Sequence, residues 1–197
     1  VQDMLDRIMP AILTGNRQTL AAVQQMDDEV DILYEQIIAY MGAISKRQLT
    51  DMQTQELLAL MEAVSDLENI GDTIETNLVV LGNERIDAGV SISEPTRKVL
   101  NDFHKVVNKA FRLAVQAVSQ SNDEVAKLVI SMKDEVSALA DSAAAHQAER
   151  LVAEELNRIP AYTIEIDIIE KQKRIYYFAK RMAKTVMTVE SIEAMEA

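Results

Sequence analysis

Apolar residues return every three or four positions through most of this chain, and little interrupts them. Val23, Met26, Val30, Leu33, Ile37, Tyr40 and Ile44 form one such series. Leu57, Leu60, Val64, Leu67, Gly71, Ile74 and Leu78 form another. A 3–4 step places each set on one face of a helix, as the seam of a bundle. The chain has only 5 glycines and 3 prolines in 197 residues, so the helices can be long. With 48% hydrophobic residues it can bury a large core, as one generous domain or two small ones. The expectation is an all-α fold with no sheet.

The pattern repeats. M-D-D-E-V-D-I-L at 26–33 returns as M-K-D-E-V-S-A-L at 132–139, an offset of 106 residues. Later the offset becomes 108: Leu67, Ile70 and Ile74 fall on Ile175, Phe178 and Met182. A two-residue insertion in a loop accounts for the change. The sequence therefore predicts two tandem three-helix bundles, six helices packed up and down in antiparallel fashion. The first covers 1–82 and the second 92–197. Thr50, Ser93 and Asn122 are the expected N-caps. In the second half the expected helices run from Pro95 to Ser119, from Asn122 to Ala153 and from Tyr162 to Glu190. By the repeat, Val1 falls opposite Val107. That correspondence leaves two expectations open, a first helix truncated from a longer protein or one that is naturally short.

Charge narrows the partners. The formal net charge is −12, which disfavours nucleic acid and favours cations. Cys is absent, so thiolate metal sites and cysteine nucleophiles are excluded. No run of about 18 apolar residues is present to span a bilayer. The acidic opening V-Q-D-M-L-D-R-I-M-P lacks the basic region of a signal peptide. The two histidines, His104 and His146, lack the Glu-x-x-His spacing of di-iron bundles and read as ordinary helix-face residues. No nucleophile–base pair or phosphate-binding glycine loop is visible, so the expectation is not an enzyme. The basic, aromatic run K-Q-K-R-I-Y-Y-F-A-K-R at 171–181 has two readings, a contact for anionic lipid or a partner, and a helix with Ile175, Phe178 and Met182 in the core and its basic residues solvated.

The acids are placed selectively. One position after the seam stand Asp27 and Asp31 on the second helix, and Glu68, Asp72 and Glu75 on the third. Acids four apart share a helix face. At the shoulder of an apolar stripe they face the neighbouring helix, where like charges repel unless a cation joins them. Asp27, Asp31, Glu68 and Asp72 are the candidate metal ligands, and carboxylate oxygen suits a hard or borderline cation such as magnesium, calcium, manganese or iron. A solvated acidic stripe is the competing reading. Gly71 lies on the seam between them, where a close approach would justify it. The corresponding second-half positions are Lys133, Ser137, Tyr176 and Lys180, which cannot form such a site.

D-L-E-N-I-G-D at 66–72 resembles the D-L-E-R-I-G-D signature of PhoU domains, which recurs on the third helix of each three-helix repeat. The resemblance implies an E(D)-x-x-x-D motif that binds multinuclear iron or zinc. Here Asp27-x-x-x-Asp31 and Glu68-x-x-x-Asp72 meet it. I-E-T-N-L-V-V-L-G-N-E-R and I-E-K-Q-K-R-I-Y-Y-F-A-K-R-M-A-K are similar to the cytoplasmic C-terminal region of bacterial sodium/phosphate cotransporters. That implies a regulatory domain on the cytoplasmic side of the membrane, partnered by a membrane transport domain of the same polypeptide. The alternative is a free-standing PhoU-type regulator that binds a transporter and a sensor kinase. Homo-oligomerisation stays open.

Overall fold

A computed structural model describes residues 1–151 and 157–187. Among these residues every regular element is helical. Helix α1 spans Gln2–Thr14, α2 spans Arg17–Ile44 and α3 spans Asp51–Asp72. The third helix does not stop there. It widens into a π-helical segment, Thr73–Val79, and continues as α4, Val80–Asp87. The second repeat comprises α5 (Glu94–Gln120), α6 (Asp123–Ser131), α7 (Lys133–Leu151) and α8 (Arg158–Lys184). The two sets of three are six helices in path: α3 with α4, and α6 with α7, are each one interrupted rod.

The starts follow local chemistry. Thr50 forms a full capping box with Gln53, while Ser93 and Asn122 accept from the amides of Thr96 and Val125. Gly15 at φ 71 and Ser121 at φ 48 end α1 and α5 in the left-handed conformation at equivalent places in the two repeats. The sequence predicts one helix from Asn122, but the rod breaks at Met132. The last helix starts at Arg158, four residues earlier than expected. Its expected end at Glu190, and the expected end of its predecessor at Ala153, lie outside the described residues.

The two repeats share one hydrophobic core rather than each closing its own. Helix α8 packs against α5 most extensively, and also against α3, α6 and α7. The core is aliphatic with few aromatics, Phe103 and Phe111 being its largest fully buried side chains. The first-half seam departs from expectation. Val23 is fully buried, but Leu33 is 56% exposed, Ile37 38% and Tyr40 69%. The far half of α2 therefore carries an apolar stripe that no described helix covers.

Polar groups inside the core are tied to α8. Arg158 Nη1 lies 3.2 Å from Glu165 Oε2, and Arg158 Nη2 donates to the Gln147 side-chain and backbone oxygens at 3.1 and 3.2 Å. All three residues are buried. His104 is buried too, which corrects its expected place on an ordinary helix face. Its Nε2 donates to the Leu5 carbonyl at 3.0 Å, so Nε2 carries the proton. Burial, the largest influence, lowers its pKa and favours the neutral ring. Nδ1 is then an acceptor, 3.2 Å from Gln172 Oε1. Two acceptors cannot bond, so the neutral ring requires the Gln172 amide turned with its NH2 toward Nδ1. That turn gives the otherwise unpartnered Gln172 Nε2 an acceptor. His146 is half-buried, within 3.2 Å of the Thr96 hydroxyl.

The buried Arg158–Glu165 pair generates a prediction. Removing one partner leaves the other charge without compensation inside the core. Glu165→Ala is expected to lower stability by about 3–5 kcal/mol, read as a fall in the urea midpoint. A loss under 1 kcal/mol would mean that the pair is not desolvated.

Candidate carboxylate site

Helices α2 and α3 cross where Asp27 meets Gly71. A β-carbon at Gly71 would lie 2.7 Å from Asp27 Oδ1, closer than side chains approach one another. Glycine therefore makes the seat in which this carboxylate rests, and that contact supplies the reason for a glycine within the third seam. Asp27 is 7% exposed, and its Oδ1 is buried with no hydrogen-bond partner. A buried carboxylate oxygen without a donor is costly while ionised.

Its neighbours sharpen that cost. Burial pushes the Asp27 carboxyl up to about 6, with further contributions from the charges of Asp31, Asp72, Glu75 and Glu68, in that order. Glu68 is raised as well, first by burial and then by Asp72 and Asp31. The four sequence candidates thus form one electrostatic group. They do not share one wall. Asp27, Asp31 and Asp72 line an open cleft of about 400 Å3, together with Asp28, Glu75 and Gln24. Glu68 lines the adjacent apolar groove beside Leu67 and Val64. Among the described residues, no three carboxylates or histidines converge as a finished ligand set. The cleft offers oxygen donors that side-chain rotation would have to gather around a cation.

The structure adds two residues to the expected four. Glu75 accepts from Gln24 Nε2 at 2.9 Å, across the cleft from α2. It lies one step along the acidic shoulder of the third helix, so the i, i+3, i+4 spacing already pointed to it. Asp28 had no such signal, since it lies off the shoulder. The cleft also sits where the helix changes pitch. Thr73 and Thr76 hydroxyls donate to the carbonyls four residues back, at Asn69 and Asp72, over 2.7 and 2.6 Å. Asn69 Nδ2 does the same to Ser65 at 2.6 Å. Such back-bonds compete with the α-helical ladder, and π turns are frequent at functional sites.

A second buried acid opens the D-L-E-N-I-G-D motif. Asp66 is 1% exposed and is pushed up to about 6, mainly by burial, with Arg181 opposing and Glu62 adding. Arg181 on α8 lies 3.4 Å from Asp66 and 3.1 Å from Glu62. This triad belongs to the contact between repeats rather than to the cleft.

Among its described residues, the second repeat has no counterpart cleft chemistry. Lys133 and Ser137 are exposed. Tyr176 is buried, and its hydroxyl donates to the Val129 carbonyl at 3.0 Å. Burial, aided by Asp134, pushes that phenol up to about 12, so it stays neutral and structural.

Among the described residues, the fold and site define a class: an all-helical arrangement of two three-helix repeats with an acidic cleft in the first repeat. The PhoU domain family model matches residues 1–77, which contain all four candidate acids. Among solved structures, the chain is similar to PhoU from Pseudomonas aeruginosa, with a TM-score of 0.86 and 17% identity. The match covers 98% of this chain and 90% of that one, and it shows a shared PhoU fold. A search of curated protein sequences gives no match.

The raised Asp27 carboxyl has a defined pH signature. Its folded pKa near 6 exceeds the unfolded value of 3.8, so the native state binds the extra proton between these limits. Stability contributed by this group therefore falls as pH rises from 4 to 6, by about 2–3 kcal/mol. Asp27→Asn keeps the shape and removes the charge. In chelator-treated protein it is expected to raise the urea midpoint at pH 7.5 and to leave it unchanged near pH 4. Asp66 titrates in the same window, so part of the pH slope should persist in the variant. An unchanged midpoint at pH 7.5 would show that Asp27 is adequately solvated.

Proposed function

We propose that this chain is a phosphate-uptake regulatory domain that acts by contact with a membrane transport domain. The observation that carries the reading is the PhoU domain in residues 1–77 within a chain that has the PhoU fold throughout. The finer reading is a cytoplasmic domain of a sodium/phosphate cotransporter, which rests on the sequence resemblances at 74–85 and 169–184. None of the described helices is long and apolar enough to cross a membrane, so ion movement would belong to the partner. A second reading is a free-standing PhoU-type regulator that binds a transporter and a sensor kinase, and the shared PhoU fold is compatible with it equally. Both are regulatory rather than catalytic.

A divalent or multinuclear metal at Asp27, Asp31, Glu68 and Asp72 is part of this proposal, with Glu75 beside them. The donors fit. They are carboxylate oxygens, one of them buried and unpartnered, in a cleft open to solvent. A bound cation would neutralise the repulsion that raises Asp27 and Glu68, and would tie α2 to α3 at their crossing.

Two measurements test these readings. Deleting the chain in its parent cell should change phosphate uptake or its repression by phosphate. Uptake, regulation and transporter abundance that all stay normal would remove the regulatory reading. Separately, chelator-treated protein is expected to gain thermal stability with manganese, iron, zinc or magnesium. By mass action a hundredfold excess over Kd is worth about 2.7 kcal/mol. Glu68→Gln with Asp72→Asn should abolish most of that gain. A full metal response in the double variant, or none in the wild type, would leave these acids as a solvated face.

A further inference from the structure

The rod formed by α3 and α4 is held at two points. Before the wide turn, Gly71 lies against Asp27 of α2, where a β-carbon would be 2.7 Å from Oδ1. After it, Gly82 lies against α2 and α1, where a β-carbon would be 3.0 Å from Leu20 and 3.1 Å from Ile12. Arg85, on the next turn, donates to the Ile12 carbonyl at 2.6 Å. At neither point can the rod rotate or slide without a clash or a lost contact.

Between these points the rod carries one residue more than regular pitch needs. A straight helical seam mixes steps of 3 and 4. The buried residues Ile70, Ile74, Leu78 and Gly82 step by 4, 4 and 4. With the exposed Thr76 counted out, the steps become 4, 3 and 4. The π-helical segment Thr73–Val79 takes up the spare residue. Helix α8 has no such turn. It passes Ala179, the counterpart of Gly71, and continues in α pitch to Lys184.

The spare residue sits in the wall of the acidic cleft. Asp72 immediately precedes the wide turn, and Glu75 lies within it, bonded to Gln24 of α2. On the opposite wall Asp27 is 7% exposed, with Oδ1 buried and unpartnered. The Thr76 hydroxyl donates to the Asp72 carbonyl at 2.6 Å. That carbonyl therefore keeps a donor whether the backbone bond comes from the fourth residue on, as in an α turn, or from the fifth, as in a π turn.

We propose that the wide turn is the adjustable wall of the carboxylate cleft, which lets Asp72 and Glu75 close on a divalent cation while Gly71 and Gly82 stay seated. The inference rests on the metal reading of the cleft and adds the element that moves. A regular helix clamped at both ends is stiff, so its carboxylates reach a cation by side-chain rotation alone. A spare residue can sit at one position or the next, and the backbone between the clamps shifts with it.

The test removes that residue. Deleting Thr76 restores the 4, 3, 4 seam and leaves every acid of the cleft in the chain. In chelator-treated protein the variant is expected to keep a Tm no lower than the wild type's. Its manganese affinity, measured by calorimetric titration, is expected to fall about tenfold or more. Thr76→Ala keeps the spare residue and is expected to bind within about threefold of wild type. Equal affinity in the deletion variant and the wild type overturns the proposal. So does an equal loss in Thr76→Ala, which would assign the effect to the side chain. A wild type that binds no manganese removes the metal reading and this inference together, whereas binding that survives the deletion removes this inference alone. Hydrogen exchange of the native chain decides the matter even where the deletion prevents folding. Manganese is expected to slow the amides of 72–79 about tenfold or more and to leave those of 57–70 unchanged. Protection spread evenly along both stretches, or none, overturns the proposal.

Discussion

Helix α8 is buried along most of its length, and the fold depends on how that burial is arranged. It packs against α5, α6 and α7 within its own repeat and against α3 across the boundary. Aliphatic burial supplies the bulk of the stabilisation but specifies register weakly, since a stripe of Ile, Leu and Ala can slide by a turn at modest cost. Three polar anchors on α8 remove that freedom. Arg158 and Glu165 pair at one end with Gln147 of α7, Gln172 meets His104 of α5 midway, and Tyr176 reaches the Val129 carbonyl of α6. A slide of one turn would strand each of these groups unpaired in the core, at a cost of about 1–3 kcal/mol per neutral group and more for the ions. The fourth anchor, Arg181 against Asp66 and Glu62, fixes α8 against the first repeat.

How much of this was legible in the sequence depended on whether the signal was local. The caps at Thr50, Ser93 and Asn122 could be read because capping chemistry lies within four residues. The seams could be read because period alone defines a face. What covers a face is a different question. The α2 series Leu33, Ile37, Tyr40 has the same spacing as its buried or half-buried counterparts Leu139, Ala143 and His146, and nothing in α2 itself reports whether another helix lies against it. His104 was misplaced for the converse reason. Its burial is set by Leu5 and Gln172, 99 and 68 residues away. The π segment was not foreseen either, although the Thr73 and Thr76 back-bonds that accompany it are sequence-local. The acids were found by spacing, but their division between a cleft and a groove depends on how α2 and α3 cross.

The two repeats have solved one packing problem differently. Where the second repeat closes over Ile168, Gln172 and Ile175 with the first half of α5, the first leaves an apolar groove and an acidic cleft side by side. The acidic cleft lies in the first repeat, and the polar anchors buried in the core lie mostly in the second. Glu68 sits at the boundary between groove and cleft, and its raised pKa draws on burial as well as on the charges of Asp72 and Asp31. Anything that fills the groove would deepen that burial, and anything that neutralises the cleft would relieve it.

The change from an acidic to an inert site can be traced to one methyl group and its partner. Gly71 in the first repeat corresponds to Ala179 in the second, and Asp27 corresponds to Lys133. With hydrogen at position 71, the Asp27 carboxylate lies against the α3 backbone, where a β-carbon would be 2.7 Å from Oδ1. With the methyl of Ala179, itself fully buried, that seat is gone, and the side chain at 133 is exposed. Glycine and aspartate are therefore a coupled pair, each of little use without the other. Gly71 costs about 1 kcal/mol of helix stability relative to alanine, and Asp27 adds the cost of a buried, unpartnered oxygen. The first repeat carries both penalties in the middle of a core-facing seam, where alanine and a solvated side chain would avoid them, as the second repeat demonstrates. That coupled pair of unfavourable choices, made at one contact, is the physical ground on which the proposed binding role of the cleft rests.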